Sequence, residues 1–149
     1  MAFIYDPKCF DPSTSIGRLM TVVKGALMEA LDAELEPLDI TAAQFVVLVR
    51  LATGAAASAS ASTLCKGASY DPGAMTRMID RLERKGLVRR VRSPRDRRKV
   101  IVELTPGGSA VYPQLIAGAV RVLNRFLRDF SVAEAQQLEA FLRRMLANA

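Results

Sequence analysis

Along most of this chain, apolar residues recur at every third or fourth position, which is the spacing of one face of an α-helix. The first such stretch covers residues 14–37. It predicts a helix that ends at Glu36, because Pro37 disfavours helical backbone in the residue before it. The apolar face of this predicted helix consists of Ile16, Leu19, Met20, Val23, Leu27, Ala30, Leu31 and Leu35.

The next part of the chain predicts two shorter helices. Thr41 and Gln44 stand three positions apart, as in a capping box, where each side chain bonds a backbone N–H that the helix leaves exposed. They predict a helix over Ala42–Leu51. Residues 53–62, almost all Gly, Ala, Ser and Thr, predict a connector within one domain, and a short helix over about Ser60–Lys66 is expected next.

Asp71 and Pro72 open the following helix, since Asp is a favoured N-cap and Pro suits the first helical position. This helix is predicted to run to Lys85 and to stop at Gly86, a favoured C-cap residue. The face predicted to be buried carries Met75, Met78, Ile79 and Leu82. The face predicted to be exposed carries Pro72, Gly73, Thr76, Arg77, Asp80, Arg81 and Arg84.

A β-hairpin is predicted next, with strands over Val88–Arg92 and Val100–Leu104. Thr105–Pro106 repeats the cap-plus-proline start and opens a long helix to about Arg128. Pro113 should kink this helix or replace its first turns.

A second capping box begins a last amphipathic helix at Ser131 and Glu134. The predicted fold is mainly α with a small β-hairpin, in the α+β class. No apolar run approaches the roughly 20 residues of a membrane span, and the N-terminus lacks the pattern of a signal peptide. We therefore expect a soluble cytoplasmic protein without a membrane partner.

Charge is concentrated in one part of the chain. The net charge is +6. Between Arg77 and Lys99 stand eleven Lys or Arg and three Asp or Glu, a net charge of +8, whereas the remaining ten basic and twelve acidic residues sum to −2. A local basic patch is typical of a surface that binds a phosphate backbone, although a charge run can also be a solvated face.

The composition argues against an enzyme and against a metal or cofactor site. Histidine is absent, which removes the commonest general base and metal ligand. The two cysteines form no paired motif. The sequence shows no glycine-rich phosphate loop and no recognisable spacing of nucleophile and base.

The order of short helix, turn, helix and basic hairpin predicts a helix-turn-helix whose second helix, called here the reading helix, enters the major groove of DNA. Thr76 and Arg77 lie one turn inside that helix and are predicted to meet base edges, because an Arg fork matches two acceptors of guanine. Arg81 and Arg84 are predicted to reach phosphate. Further phosphate contacts are expected from the helix N-terminus at Pro72 and Gly73 and from the preceding Ser69 and Tyr70.

The hairpin, called here the wing, carries the loop of residues 93–99 between its strands. Arginines at its tip suit a narrow minor groove, which has an enhanced negative potential; the alternative is an ordinary charged hairpin. Asp96 could hold Arg98 by a salt bridge and stiffen the loop. The residues predicted to bind DNA in the wing are Arg95, Asp96, Arg97 and Arg98.

The run Met75–Val88, followed by Asp96–Arg98 and Leu104–Gly108, resembles the MarR family of bacterial regulators. The resemblance covers residues 41–110 strongly, and the flanking helices agree in position and length. It implies a winged helix-turn-helix, a homodimer formed by the outer helices, and one subunit on each half of a pseudo-palindrome. It also implies that Arg98 enters the minor groove with support from Asp96, and it favours a repressor.

The domain prediction is one chain, 1–149, with a DNA-binding lobe at 41–110 and dimerisation helices at 1–37 and 111–149. The outer helices independently favour a dimer, because they carry more apolar residues than a lobe of about 70 residues needs as cover. The alternative is that these residues pack on their own lobe.

The resemblance also implies that a small phenolic or aromatic carboxylate binds between the dimer helices and the DNA-binding lobe and weakens DNA binding. Arg18 and Arg50 interrupt or end apolar runs, and a guanidinium there could bind a carboxylate, with Asp11 and Ser15 adding hydrogen bonds. The alternative for both arginines is a salt bridge within the protein.

Two other functions remain open. Cys9 lies near the first helix, where some relatives sense oxidants, although its spacing does not match that branch; Cys65 is more typical of a small buried residue. The chain could also be an architectural protein that binds DNA for shape alone.

Overall fold

The computed structural model describes residues 4–54, 58–68, 70–94 and 96–149, with the backbone alone at residues 67 and 68. Short 3₁₀ helices occur at Pro12–Thr14 and Glu36–Leu38. The other elements are, in chain order, α1 (Ile16–Leu35), α2 (Ala42–Thr53), β1 (Ser58–Ala59), α3 (Ala61–Ala68), α4 (Pro72–Arg84), β2 (Val88–Arg92), β3 (Val100–Leu104), α5 (Pro106–Phe126) and α6 (Val132–Ala147).

The predicted helices are confirmed, with ends shifted by one or two residues. α1 begins at Ile16 because Ser15 caps it, its Oγ accepting from the backbone N of Arg18 at 3.2 Å. The capping box at Thr41 and Gln44 is present in α2, and the second box is present in α6. Since caps are interactions between residues a few positions apart, the sequence places helix ends well.

Pro113 lies inside α5, which runs through it without interruption. The expectation that Pro113 replaces the first turns of this helix is therefore wrong. Proline removes the hydrogen bond to the carbonyl four residues earlier, here that of Ser109. Both residues are exposed, so water can bond that carbonyl and the helix tolerates the loss.

The sheet is antiparallel, in the order β1-β3-β2. The predicted hairpin is confirmed, with Val88 opposite Leu104 and Arg92 opposite Val100. The third strand corrects the interpretation of residues 53–62 as connector only: Ser58 pairs with Glu103 and Ala59 with Val102. Two small residues carry no alternating pattern, so only the approach of β3 makes them a strand.

One core joins the elements and fixes the position of α4. It draws side chains from the C-terminal part of α1, from α2, α3 and α4, from the hairpin and from α5. Its most completely buried members are Leu35, Val47, Leu48, Leu51, Leu64, Met75, Ile79, Leu82, Val88, Val102 and Leu115.

The two ends of the chain are organised differently. α6 has no buried residue, and in α1 only Leu31 and Leu35 are buried. The remaining apolar positions of these helices are half-buried or exposed. Within the described residues, no helix combines the length and the apolar character that a membrane span requires.

Candidate nucleic-acid interface

The helix α4 is built to present one face to a partner. Asp71 caps it, its Oδ1 accepting from the backbone N of Ala74 at 2.9 Å, and Pro72 fills the first turn. Three apolar side chains of the opposite face, Met75, Ile79 and Leu82, are at most 1% exposed. The core therefore holds α4 by one face, and all seven residues predicted to point outward are exposed.

The first turns of this outward face carry the two predicted base-reading residues. The Thr76 hydroxyl donates to the carbonyl of Pro72 at 2.9 Å, which leaves its oxygen free to accept from a partner. A Cβ added at Gly73 would lie 3.5 Å from Nη1 of Arg77 and 3.1 Å from Oδ1 of Asp71. The first distance is an ordinary van der Waals contact and the second is tight, so the glycine leaves room for the capping carboxylate of Asp71.

Ion pairs divide the basic residues of the patch into two groups. Four of them contact carboxylates: Lys85 with Asp39 at 3.0 Å, Arg89 with Glu103 at 2.6 Å, Arg90 with Asp80 at 2.6 Å and Glu83 at 2.5 Å, and Lys99 with Asp96 at 3.9 Å. Within the described residues, no carboxylate pairs with Arg77, Arg81, Arg84, Arg92, Arg97 or Arg98. Charge available to an anion therefore lies on α4 and the wing tip.

The wing tip is held by Asp96, but not as the sequence predicted. The Asp96 carboxylate accepts from the backbone N of Arg98 at 3.0 Å and pairs with Lys99. The expected salt bridge to the Arg98 guanidinium is therefore wrong, because the acid is two residues away and closes a tight backbone turn instead. The exposed guanidinium is left for a partner.

Other predicted contacts have mixed outcomes. Tyr70, which precedes α4 and was predicted to bind phosphate, is half-buried and its ring packs against the core. Arg92 donates from Nη1 to the carbonyl of Arg97 at 2.9 Å and braces the wing. Ser69 and Arg95 lie outside the described residues.

Two residues that anchor α4, Lys85 and Arg90, were not predicted from the sequence. Lys85 donates from Nζ to the backbone carbonyl of Asp39 and to Oε1 of Gln44, which ties the end of α4 to the loop before α2. Arg90 bonds two acids of α4. Burial opposes the Arg90 charge, but hydrogen bonds to Asp80 and Glu83 outweigh it and raise the pKa of the guanidinium. The sequence signal for the Arg90 contact was the pair of acids Asp80 and Glu83, three positions apart on a predicted helix that is followed by an arginine-bearing strand.

The residues predicted to bind a ligand fall in two places. Oδ1 of Asp11 accepts from the backbone N and the hydroxyl of Ser13 at 2.8 and 2.7 Å, and these bonds lower the pKa of Asp11. Ser15 caps α1, and its side chain accepts a hydrogen bond from the backbone N of Arg18. No hydrogen bond or ion pair of the described residues joins Arg50, at the end of α2, to these three.

A cleft of about 480 Å³ lies instead beside α4. Its walls are Met28, Asp32, Glu36, Asp39, Ile40, Thr41, Ala43, Met78 and Arg81. It contains none of the four predicted ligand residues, and Arg81, predicted to bind phosphate, lines it.

The cysteines and acids suggest no further chemistry. Cys9 is exposed and Cys65 packs partly buried against the core. Sensing of oxidants by Cys9 remains a prediction. In the described part of the chain, no three Cys, Asp or Glu residues come together as a metal site would require.

Comparison with known proteins agrees with this geometry. The model of the MarR family matches residues 40–100. The chain is similar to the multiple antibiotic resistance protein MarR of Escherichia coli (strain K12), at 39% identity over 92% of this chain and 94% of that protein. It is also similar to the HTH-type transcriptional repressor MdtR of Bacillus subtilis (strain 168), at 28% identity over 93% of this chain and 85% of that protein.

Solved structures share the fold. A crystal structure of a mutant E. coli MarR complexed with operator DNA matches with a TM-score of 0.78 and 36% identity, over 92% of this chain and 99% of that chain. A structure of Bordetella bronchiseptica BpsR, whose DNA binding is regulated by 6-hydroxynicotinic acid, matches with a TM-score of 0.77 and 27% identity, over 91% and 96%. The winged helix-turn-helix predicted from the sequence is thereby confirmed.

Proposed function

We propose, since the chain belongs to the MarR family, that it is a transcriptional regulator that binds a pseudo-palindromic operator in double-stranded DNA as a homodimer. The observation that carries this proposal is the arrangement of α4 and the wing. The core holds α4 by its apolar face, and the opposite face and the wing tip carry arginines without carboxylate partners among the described residues. The proposal includes no catalytic activity and no cofactor, and cytoplasmic DNA is the expected partner.

Each part of this surface has a proposed role. Thr76 and Arg77 read base edges in the major groove. Arg81 and Arg84, one and two turns further along, bind phosphate together with the N-terminal turn of α4. Arg97 and Arg98 at the wing tip enter the minor groove, where negative potential favours guanidinium groups.

Homodimerisation is supported by the apolar surface that one subunit leaves uncovered. The first half of α1 and the whole of α6 expose large apolar side chains on the same helices that the sequence assigned to dimerisation. They include Ile16, Leu19, Met20, Val23, Leu138, Phe141 and Met145, each at least 40% exposed. Contiguous apolar surface of this kind marks an interaction site, and a second copy would bury it.

Two parts of the proposal, repression rather than activation and release by a small effector molecule, are supported by relatives alone. MdtR is named as a repressor, and BpsR responds to 6-hydroxynicotinic acid, a small aromatic acid. We propose a repressor that such an acid releases from DNA. Arg18 and Arg50 remain the proposed carboxylate ligands, since neither has a carboxylate partner among the described residues; Asp11 and Ser15 are already engaged in helix caps.

The test is selection of bound fragments from random DNA, repeated with a panel of aromatic acids and with the Arg77→Ala variant. A regulator should enrich a pseudo-palindrome, lose it with one acid, and lose base preference with Arg77→Ala, because Arg77 is assigned to a base edge. Loss of a little affinity for every sequence would favour an architectural protein. Release by an oxidant, abolished by Cys9→Ser, would favour the sensing alternative.

A further inference from the structure

Arg90 differs from the other arginines of the basic patch, because its side chain lies on the face of the sheet that packs against α4. Side chains of a strand alternate between its two faces. Val88 is buried in the core, so Arg90, two residues later, lies on the same face as Val88 and meets α4. Arg89 lies on the opposite face and pairs with Glu103, directly across on β3.

Three hydrogen bonds join Arg90 to α4. Its Nη2 donates to Oδ1 of Asp80 at 2.6 Å, and its Nη1 donates to Oε2 of Glu83 at 2.5 Å. Its backbone N donates to Oε1 of Glu83 at 3.1 Å. Asp80 and Glu83 stand three apart and therefore share one side of the helix. A guanidinium fork can bond both acids at once, which an ammonium cannot do with the same geometry.

The backbone bond closes an open edge. β2 is one of the two outer strands of the sheet, so its outward N–H groups have no neighbouring strand to accept from them. Glu83 accepts from the Arg90 N–H at that edge. The connection between α4 and β2 is short and turns at Gly86, whose φ is +70°. Side-chain bonds beyond this turn therefore add to the core packing of Val88 in setting how the hairpin lies against the helix.

We propose that Arg90 is a positioning residue for operator recognition, which locks the wing to the reading helix through Asp80 and Glu83. This inference rests on the proposed function. The lock fixes the angle at which Arg77 on α4 and Arg98 on the wing approach neighbouring grooves.

A double-mutant cycle separates this role from a direct phosphate contact. Arg90→Gln is measured in the wild-type chain and in the Asp80→Asn/Glu83→Gln background, on the site enriched by the selection. We expect a loss of about tenfold or more in the first case and of less than about threefold in the second, because partners in one network are not additive. An undiminished loss in the second background would overturn the proposal.

Arg89→Gln is the matched control, since it removes the same charge one residue away on the other face of the strand. It should cost less than about threefold. The salt slope should stay the same in Arg90→Lys and Arg90→Gln, whereas loss of a phosphate contact would reduce it by about one. An equal loss in Arg89→Gln, or a reduced slope, would contradict a positioning role.

Hydrogen exchange tests the lock without DNA. The Arg90 amide should be protected although it lies on an outer strand, and Glu83→Gln should retain part of the protection while Glu83→Ala removes it. Rapid exchange in the wild type would overturn the lock itself. If the amide is protected but the wild type enriches no site, the regulator proposal fails and the lock stands as a structural feature.

Discussion

Gly108, in the first turn of α5, shows how a single residue sets the spacing between a helix and the hairpin. A Cβ at this position would lie 2.1 Å from the carbonyl oxygen of Leu87 and 2.9 Å from Cδ2 of Leu104. The neighbouring Thr105 hydroxyl donates to the carbonyl of Gly86 at 2.5 Å. Helix and hairpin therefore meet backbone to backbone at the base of the wing.

We expect Gly108→Ala to lower the free energy of unfolding by about 1–3 kcal/mol, because the new methyl group meets a backbone carbonyl that cannot rotate away. Gly25→Ala is the control. Gly25 lies inside α1 with nothing within 4 Å of its added Cβ, so alanine there should stabilise the helix by up to about 1 kcal/mol. Urea unfolding at one protein concentration measures the free energy of unfolding of both variants. Equal changes in the two would contradict the close approach at Gly108.

At the scale of the element, α6 depends on its N-terminal capping box. The Glu134 carboxylate accepts from the backbone N and the hydroxyl of Ser131 at 2.8 and 2.7 Å. These bonds favour the charged form and lower the pKa of Glu134 below its ordinary value of 4.5. The pKa is thus lower in the folded than in the unfolded state, so the stabilisation is present above about pH 4.5 and is lost as the pH falls through the folded-state pKa.

Titration of the Glu134 carboxyl carbon by NMR should give a midpoint below 4.5 in the wild type and a midpoint nearer to it in Ser131→Ala, which removes the hydroxyl bond. In Glu134→Gln, the protection of amides in the first turn of α6, relative to their intrinsic exchange rates, should no longer change with pH in this acid range. The glutamine side chain still reaches Ser131 but has no charge to lose. A wild-type midpoint at or above 4.5 would show that the box does not form.

At the scale of the whole molecule, the uncovered apolar side chains of α6 predict that one chain is half of the functional unit. Phe141 is 46% exposed and lies on the helix that has no buried residue. Phe141→Glu should place a charge in the dimer interface and yield a folded monomer. Gln136→Glu adds the same charge on the side of the helix away from Leu138, Phe141 and Met145 and should leave the dimer intact.

Two measurements test this prediction: sedimentation gives the oligomeric state, and the salt dependence of DNA binding gives the number of phosphates neutralised. If each subunit neutralises about four phosphates, the dimer should show a log–log salt slope near −7, and the Phe141→Glu monomer about half of it. A slope near −2 for the wild type on its best site would contradict binding by two reading helices. A Phe141→Glu protein that still sediments as a dimer would move the interface away from α6.

The features that could be predicted from the sequence are mostly local interactions. The caps at Thr41, Asp71 and Ser131, the stop at Gly86 and the apolar stripe of α4 act over three or four residues. Pattern alone therefore predicted the helices and the exposed face of α4. The two strands of the hairpin and the basic patch were also predicted, because the strands follow from their β-branched residues and the patch from counting charge.

The division of the charged residues between the fold and a binding partner came from the folded structure alone. Three arginines of the basic patch look alike in the sequence but have different environments. Arg89 pairs with Glu103, and Arg90 pairs with Asp80 and Glu83. Arg98 has no carboxylate partner within the described residues. The pairing of Ser58 with Glu103 was likewise invisible. These contacts join residues on different helices and strands, and an ion pair depends on where the packed core brings two side chains together.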